Sequence, residues 1–248
     1  QWEGASIISG VETGFRDLDL MTSGLQGGDL VIVAGRPSMG KTALALDIAS
    51  HVSIRKKLPV ALFSIETSKE QLTFRLLSTH AKVESQRLRA GFLHDDEINE
   101  VSKATNQLFQ APIYIDDSTD ITPIAMRAKC RRLKAEVGAL GLVVVDYLQL
   151  VSVHRRTENR VQEISEIARA LKGLARELRV PVIAVSQLSR LVERREDRRP
   201  MLSDLRESGS IEAEADVVIL IYRQKYYDRK EMVDAEEAAG LDPATGKP

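Results

Sequence analysis

The sequence predicts an α/β fold, a mainly parallel twisted sheet flanked by helices, from three observations. Short apolar, β-branched runs recur along the chain, segments of helical periodicity separate them, and a glycine-containing loop joins the first strong run to a helix. Strands that alternate with helices pair in parallel through right-handed crossovers, which gives a doubly wound sandwich.

The strand candidates are DLVIVAG (Asp29 to Gly35), PVALFSIE (Pro59 to Glu66), PIYIDD (Pro112 to Asp117), LVVVD (Leu142 to Asp146), PVIAVSQ (Pro181 to Gln187) and ADVVILIYR (Ala215 to Arg223). Each reads as a strand buried on both faces. After the first run, Leu44, Ile48 and Val52 share one face of a helix. Ser68 with Gln71 forms a capping-box pattern, and Thr122 before Pro123 supplies a cap and a first-turn proline, so helices are expected to start at both. Further on, Val161, Ile164, Ala168, Leu171, Ala175 and Leu178 recur at steps of three and four as one apolar stripe. Glu163, Arg169, Lys172 and Arg176 fall elsewhere on that wheel. The tail from Asp228 to Pro248 is polar and acidic, with Gly240, Pro243 and Gly246, and is expected to be a mobile loop or ragged end.

With 248 residues, 43% of them hydrophobic, the chain is long enough to bury a substantial core and is read as one main domain. Lys plus Arg number 35 against 36 Asp plus Glu, so any polyanion site must be local. The single cysteine, Cys130, excludes an intrachain disulfide framework and a cysteine-rich zinc site, and is expected to be a buried small apolar group. No apolar run approaches the ~20 residues that span a bilayer, and no basic-then-apolar leader opens the sequence. The expectation is a cytoplasmic protein without membrane association. A chain that opens at Gln1 is expected to be an excised or processed piece of a longer one.

The loop GRPSMGKT fills Gly35 to Thr42 and fits the pattern G-x-x-x-x-G-K-[ST] between a strand and a helix. Gly35, Arg36, Pro37, Ser38, Met39 and Gly40 would turn backbone amides toward phosphate oxygens at a helix N-terminus, with Pro37, Ser38 and Met39 shaping the loop. Lys41 adds charge for the β and γ phosphates, and Thr42 offers a hydroxyl to magnesium. The expected cofactors are therefore ATP and Mg2+. Asp146, at the end of LVVVD, is the candidate magnesium ligand, with a structural cap as its alternative. Glu66, after LFSI, is the candidate base that activates water, and its alternative is a carboxylate favoured by the helix beginning near Ser68. Gln187, which follows Ser186 at a strand end, is the candidate sensor of the γ-phosphate, or else a solvated strand-end amide.

A basic stretch, SRLVERREDRRP (Ser189 to Pro200), carries five arginines against three acids and is read as a local polyanion site, with a solvated loop as the alternative. KCRRLK (Lys129 to Lys134) lies on a helix and reads as a solvated face. No aromatic cluster accompanies these stretches in sequence, so phosphate tracking is expected and base stacking is not.

GRPSMGKT, FSIETS, VVVDYLQL, VPVIAVSQLSR and RRPMLSDLRESGSIEAEADVVILIYR occur in the order typical of DnaB-type replicative DNA helicases, and Gly10 to Tyr227 resembles their C-terminal motor domain. The resemblance implies a RecA-like P-loop NTPase and an ATP-hydrolysing homohexameric ring that moves 5′ to 3′ on single-stranded DNA. Primase and a helicase loader are the implied partners. It further implies a residual linker over 1–13, the motor over 14–227 and a truncated segment over 228–248. Arg190, Glu207 and Gly209 match positions that grip the DNA backbone, where a glycine amide can donate to phosphate and Glu207 can orient an arginine or offer its own N–H. The family continues past this point to a Lys-x-Arg pair that enters a neighbour's ATP site. Asp228 to Pro248 contains no match, so this chain alone is expected to bind ATP but turn it over weakly. The alternatives are another RecA-like recombinase or KaiC-like ATPase, or an ATP-regulated binding module.

Overall fold

A computed structural model describes residues 8–152, 160–208 and 211–228. Residues 1–7 of the expected linker, nearly all of the expected C-terminal tail and Gly209 lie outside the described residues, as does the side chain of Glu207. Six parallel strands form one sheet: β1 (Leu30–Gly35), β2 (Val60–Ser64), β3 (Ile113–Asp116), β4 (Leu142–Asp146), β5 (Val182–Gln187) and β6 (Val217–Leu220), in the order β3-β2-β4-β5-β1-β6. The helices are α1 (Arg16–Thr22), α2 (Lys41–Ser50), α3 (Lys69–Ala81), α4 (Ser85–Ala90), α5 (Asp95–Phe109), α6 (Pro123–Val137), α7 (Arg160–Leu178) and the short α8 (Ile211–Glu214). α2 runs on into a π-helical turn over His51–Arg55.

The pleat sorts each central strand between two cores. Leu30, Ile32, Ala34, Val143, Val145, Val182 and Ala184 pack with α6 and α7 on one face. Val31, Val33, Val60, Leu62, Val144, Ile183 and Val185 pack with α2 and α3 on the other. Burial on both faces therefore holds for β1, β2, β4 and nearly all of β5, but not for β3 and β6, which are the half-covered sheet edges. An apolar run does not distinguish an inner strand from an edge.

The helix starts are observed where the caps predict them. Ser68 Oγ accepts from the Gln71 amide at 3.4 Å, and Thr122 Oγ1 accepts from the Ala125 amide at 3.3 Å ahead of Pro123. On α7 the expected stripe is buried except Val161, with Ile167 and Leu174 widening it. Two charges placed on the polar side by the wheel are also buried, Glu163 at 6% exposure and Lys172 at 8%. Lys172 donates to the Gly28 carbonyl at 2.8 Å and pairs with Asp216, which also accepts from the Leu30 amide at 2.7 Å. One ammonium thus ties α7 to the entrances of β1 and β6.

The basic run on α6 keeps Arg131 and Arg132 exposed, as expected of a solvated face, and part of its charge is paired. Arg127 and Arg131 pair with Glu177 of α7, Lys129 pairs with Asp116, and Lys134 donates to the Leu178 carbonyl at 2.6 Å. Between them Cys130 is fully buried against the sheet, and burial pushes its thiol up to about 12.

Lys172→Ala should lower stability by about 2–3 kcal/mol in urea unfolding, because it leaves a buried carbonyl and a carboxylate without their cation. Arg169→Ala, which removes the exposed pair with Glu214, should change it by less than about 0.5 kcal/mol.

Candidate functional site

The parallel registers bring the strand ends to one edge, level within the pairs β1/β5 and β2/β4 and stepped by two residues between β4 and β5. Gly35 lies opposite Gln187 and Ser64 opposite Asp146, so the loops that leave these strands open on one edge. There the chain forms a cleft of about 620 Å³, lined among others by Pro37, Ser38, Gly40, Lys41, Thr42, Glu66, Asp146 and Gln187. That volume suits a nucleotide-sized ligand. Gly35, Arg36 and Met39 are not among its walls, and Met39 is buried at 2% exposure.

The Gly35–Thr42 loop turns twice through the left-handed region, at Ser38 (φ 62°) and Gly40 (φ 102°), and Gly40 serves as the N-cap of α2. A side chain at Gly40 would meet no atom within 4 Å, so the glycine is required by conformation and not by packing. At Gly35 the reason is close approach: a Cβ would sit 3.3 Å from the Ile221 carbonyl oxygen. Lys41 Nζ donates to the Arg36 carbonyl at 3.0 Å. Burial pushes the Lys41 ammonium below its usual range, with Arg36 adding to the shift and Asp146 and Glu66 opposing it.

Asp146 ends β4 at 5% exposure and accepts a hydrogen bond from the Thr42 side chain. Burial raises its carboxyl above the ordinary value; Glu66 adds to the shift, and Thr42, Lys41 and Arg75 oppose it. A hydroxyl and a carboxylate are hard oxygen donors that suit magnesium. Among the described residues no group of three or more His, Cys, Asp or Glu could hold a metal unaided, so a cation here would complete its shell from phosphate and water.

Glu66 lies two residues beyond the end of β2, not within the strand, and is exposed in the cleft wall with no hydrogen bond among the described residues. The capping work at α3 falls to Ser68, helped by Asp117, whose Oδ2 accepts the Lys69 amide at 3.1 Å. Gln187 is exposed at the end of β5, and its backbone is held by a residue the sequence reading passed over. Gln149 donates from Nε2 to Ser186 Oγ at 2.9 Å and to the Gln187 carbonyl at 3.1 Å, while its Oε1 accepts the Gln187 amide at 3.2 Å. Arg75 of α3 also lines the cleft, without an ion pair among the described residues, and no spacing in the sequence singled it out.

Arg190 opens a 3-10 turn over Arg190–Arg194 and is exposed, whereas Val192 beneath it is 1% exposed. The basic stretch is thus an anchored turn and not a freely solvated loop. The expected lack of aromatics is corrected by the fold. Tyr222 and Tyr227 stack at 5.6 Å, Tyr226 meets Tyr227 edge-on at 5.5 Å, and the Arg198 and Arg199 guanidinium groups lie 5.2 Å from the Tyr227 ring and 5.8 Å from the Tyr222 ring. These rings follow β6 and are remote in sequence from the arginines, and Tyr227 is 4% exposed, so they brace the basic stretch from below. Among the described residues no helix is long and apolar enough to cross a membrane.

Comparison with known proteins agrees with this geometry. The family model for the DnaB-like helicase C-terminal domain matches residues 10–242. The replicative DNA helicase DnaB of Geobacillus stearothermophilus is 54% identical over 223 residues, which cover 90% of this chain and 49% of that protein. The replicative DNA helicase DnaC of Bacillus subtilis (strain 168) is 52% identical over 224 residues, again 90% of this chain and 49% of the relative. The chain therefore spans about half the length of these relatives. Among solved structures, the ATPase domain of G40P superposes with a TM-score of 0.86 at 41% identity, covering 90% of this chain and 79% of that one. A DnaB-like replicative helicase, solved with its interactions with primase, gives 0.86 at 40% identity over 90% of this chain and 54% of its own. The six-stranded parallel sheet is thus the RecA-like architecture that the resemblance implied.

The raised carboxyl fixes the sign of one pH effect. Asp146 holds its proton more tightly folded than unfolded, so it stabilises the fold at low pH and that contribution is lost as pH rises through its folded value. Asp146→Asn should accordingly raise the melting temperature of the ligand-free chain at pH 7 and leave it nearly unchanged at pH 3, as thermal melts at the two pH values would show.

Proposed function

The chain belongs to the family of DnaB-like helicase C-terminal domains, and on that premise we propose that it is the ATP-hydrolysing motor of a replicative DNA helicase. In this reading the parent protein forms a homohexameric ring in the cytoplasm and moves 5′ to 3′ on single-stranded DNA. The observation that carries the reading is the convergence of Lys41, Thr42, Glu66, Asp146 and Gln187 on one cleft from the ends of β1, β2, β4 and β5.

The proposed division of labour follows from chemistry. The loop amides and Lys41 bind the phosphates of ATP, and the ammonium exchanges the Arg36 carbonyl for a phosphate oxygen. Thr42 and Asp146 would hold Mg2+, which supplies neutralisation of phosphate charge when bound. Glu66, unpaired and exposed to the cleft, orients the attacking water and accepts its proton. Gln187 donates its amide to the terminal phosphate from a backbone fixed by Gln149.

Arg190, with Glu207 and Gly209 of the following loop, is proposed to grip the DNA backbone without reading bases. Primase is the proposed protein partner, supported by the DnaB-like neighbour solved for its interactions with primase, and a helicase loader is a second by family resemblance.

Glu66→Gln should leave Mg-ATP affinity within about threefold of wild type and lower turnover by about 10² or more, the scale of one general base. Unchanged turnover in a coupled phosphate-release assay would remove Glu66 from that role. Arg190→Ala should weaken binding to oligonucleotides of different sequence by one common factor and reduce the salt slope by about one. A loss confined to one sequence, measured by anisotropy titration, would contradict phosphate tracking.

A further inference from the structure

Arg36 lies in the phosphate loop, yet it is 7% exposed and lines no part of the nucleotide cleft. Its guanidinium reaches the chain that leaves β5. Nη1 donates to the Leu188 carbonyl at 2.7 Å, and Nε donates to Glu193 Oε1 at 3.0 Å. The backbone closes the same joint, since the Leu188 amide donates to the Gly35 carbonyl at 3.3 Å. From its other side, the Arg36 carbonyl accepts Lys41 Nζ. One residue is therefore held both by the ammonium that faces the phosphates and by the turn that presents Arg190.

That turn is cross-braced to the chain that follows it. Its Val192 is buried, the Ser189 amide donates to the Asp204 carbonyl at 3.3 Å, and Arg195 pairs with the Asp204 carboxylate at 2.8 Å. Packed, cross-braced segments of this kind shift between discrete arrangements and do not deform smoothly, so a displacement at Glu193 would be passed along 189–204.

We infer that Arg36 is a positioning residue that couples nucleotide occupancy to the affinity for single-stranded DNA through its ion pair with Glu193. The inference rests on the motor reading above. A bound phosphate competes with the Arg36 carbonyl for Lys41, the released carbonyl lets the loop resettle, and the guanidinium carries that change to the Arg190 turn. Linkage makes the effect reciprocal: DNA alters nucleotide affinity by the same factor.

The test measures the dissociation constant of a labelled oligo-dT by fluorescence anisotropy, with and without magnesium and a non-hydrolysable ATP analogue. The ratio of the two constants is the coupling factor. It is compared in the wild-type chain, Glu193→Gln, Glu193→Ala and Glu196→Gln, the last being an equal charge change at an exposed acid with no ion pair among the described residues. The wild-type ratio should be about fivefold or more, the lower end of ordinary allosteric coupling. Glu193→Gln keeps an oxygen acceptor and should lose part of it, Glu193→Ala should bring it to near one, and Glu196→Gln should leave it intact. Analogue affinity without DNA should be the same in all four chains, which separates lost coupling from lost folding. A full wild-type ratio in Glu193→Ala overturns the inference, as does a wild-type ratio of one with both ligands binding. A wild-type chain that binds neither ligand instead overturns the motor reading, and the inference with it.

Discussion

Parallel strands end on one edge of the sheet, β1 level with β5 and β2 level with β4, and the cleft depends on that register. Because both faces of the inner sheet are covered, a carboxylate or amide within β1, β2, β4 or β5 would be buried away from water without an assured partner. Strand ends are where polar chemistry is tolerated, and the pairing of Gly35 with Gln187 and Ser64 with Asp146 gathers those ends on one side. A one-residue slip would turn the apolar sets to the wrong cores and scatter the polar ends. Lys172 and Asp216 guard the opposite edge, where β1 and β6 begin.

Charge is distributed unevenly between the body of the domain and the cleft. Away from the cleft several cations are matched: Lys172 with Asp216, Arg127 and Arg131 with Glu177, Lys129 with Asp116, Arg87 with Glu97. In the cleft, Glu66 and Arg75 have no ion pair among the described residues, and Asp146 and Lys41 are both pushed toward their neutral forms by burial. A polyanion with its cation would supply what each of these groups lacks. Electrostatic preorganisation of this kind is disfavoured in the empty protein and relieved by the ligand, which is how a site comes to be least stable where it acts.

Much of this was legible in the sequence because it rests on local rules. The β-branched runs marked six strands, Ser68 and Thr122 marked two helix starts, and GRPSMGKT marked the loop between β1 and α2. What stayed hidden depends on distance through space. Edge and inner strands share one composition, so the exposure of β3 and β6 could not be read. Lys172 looks like part of a polar helix face until the starts of β1 and β6 arrive beside it, and Glu163 is buried with Arg160 as its ion-pair partner. Gln149 stood inside a quoted motif, but its partners lie 37 and 38 residues away on β5. The tyrosines that brace Arg198 and Arg199 are separated from them by α8 and β6. The capping box of α5 was missed for a different reason: His94 is an unusual partner for Glu97 at a helix start.

The lone thiol has a practical reach beyond packing. Cys130 sits on α6, sealed against the sheet and nearly devoid of thiolate at neutral pH. A maleimide or disulfide reagent would have to enter between α6 and the β2–β3 side of the sheet to meet it, so its rate of modification would report how readily that side of the domain opens. The same silence makes the molecule a clean background for fluorophores, since a cysteine introduced on the Arg190 turn or the cleft rim would be the one thiol that answers on the timescale of labelling.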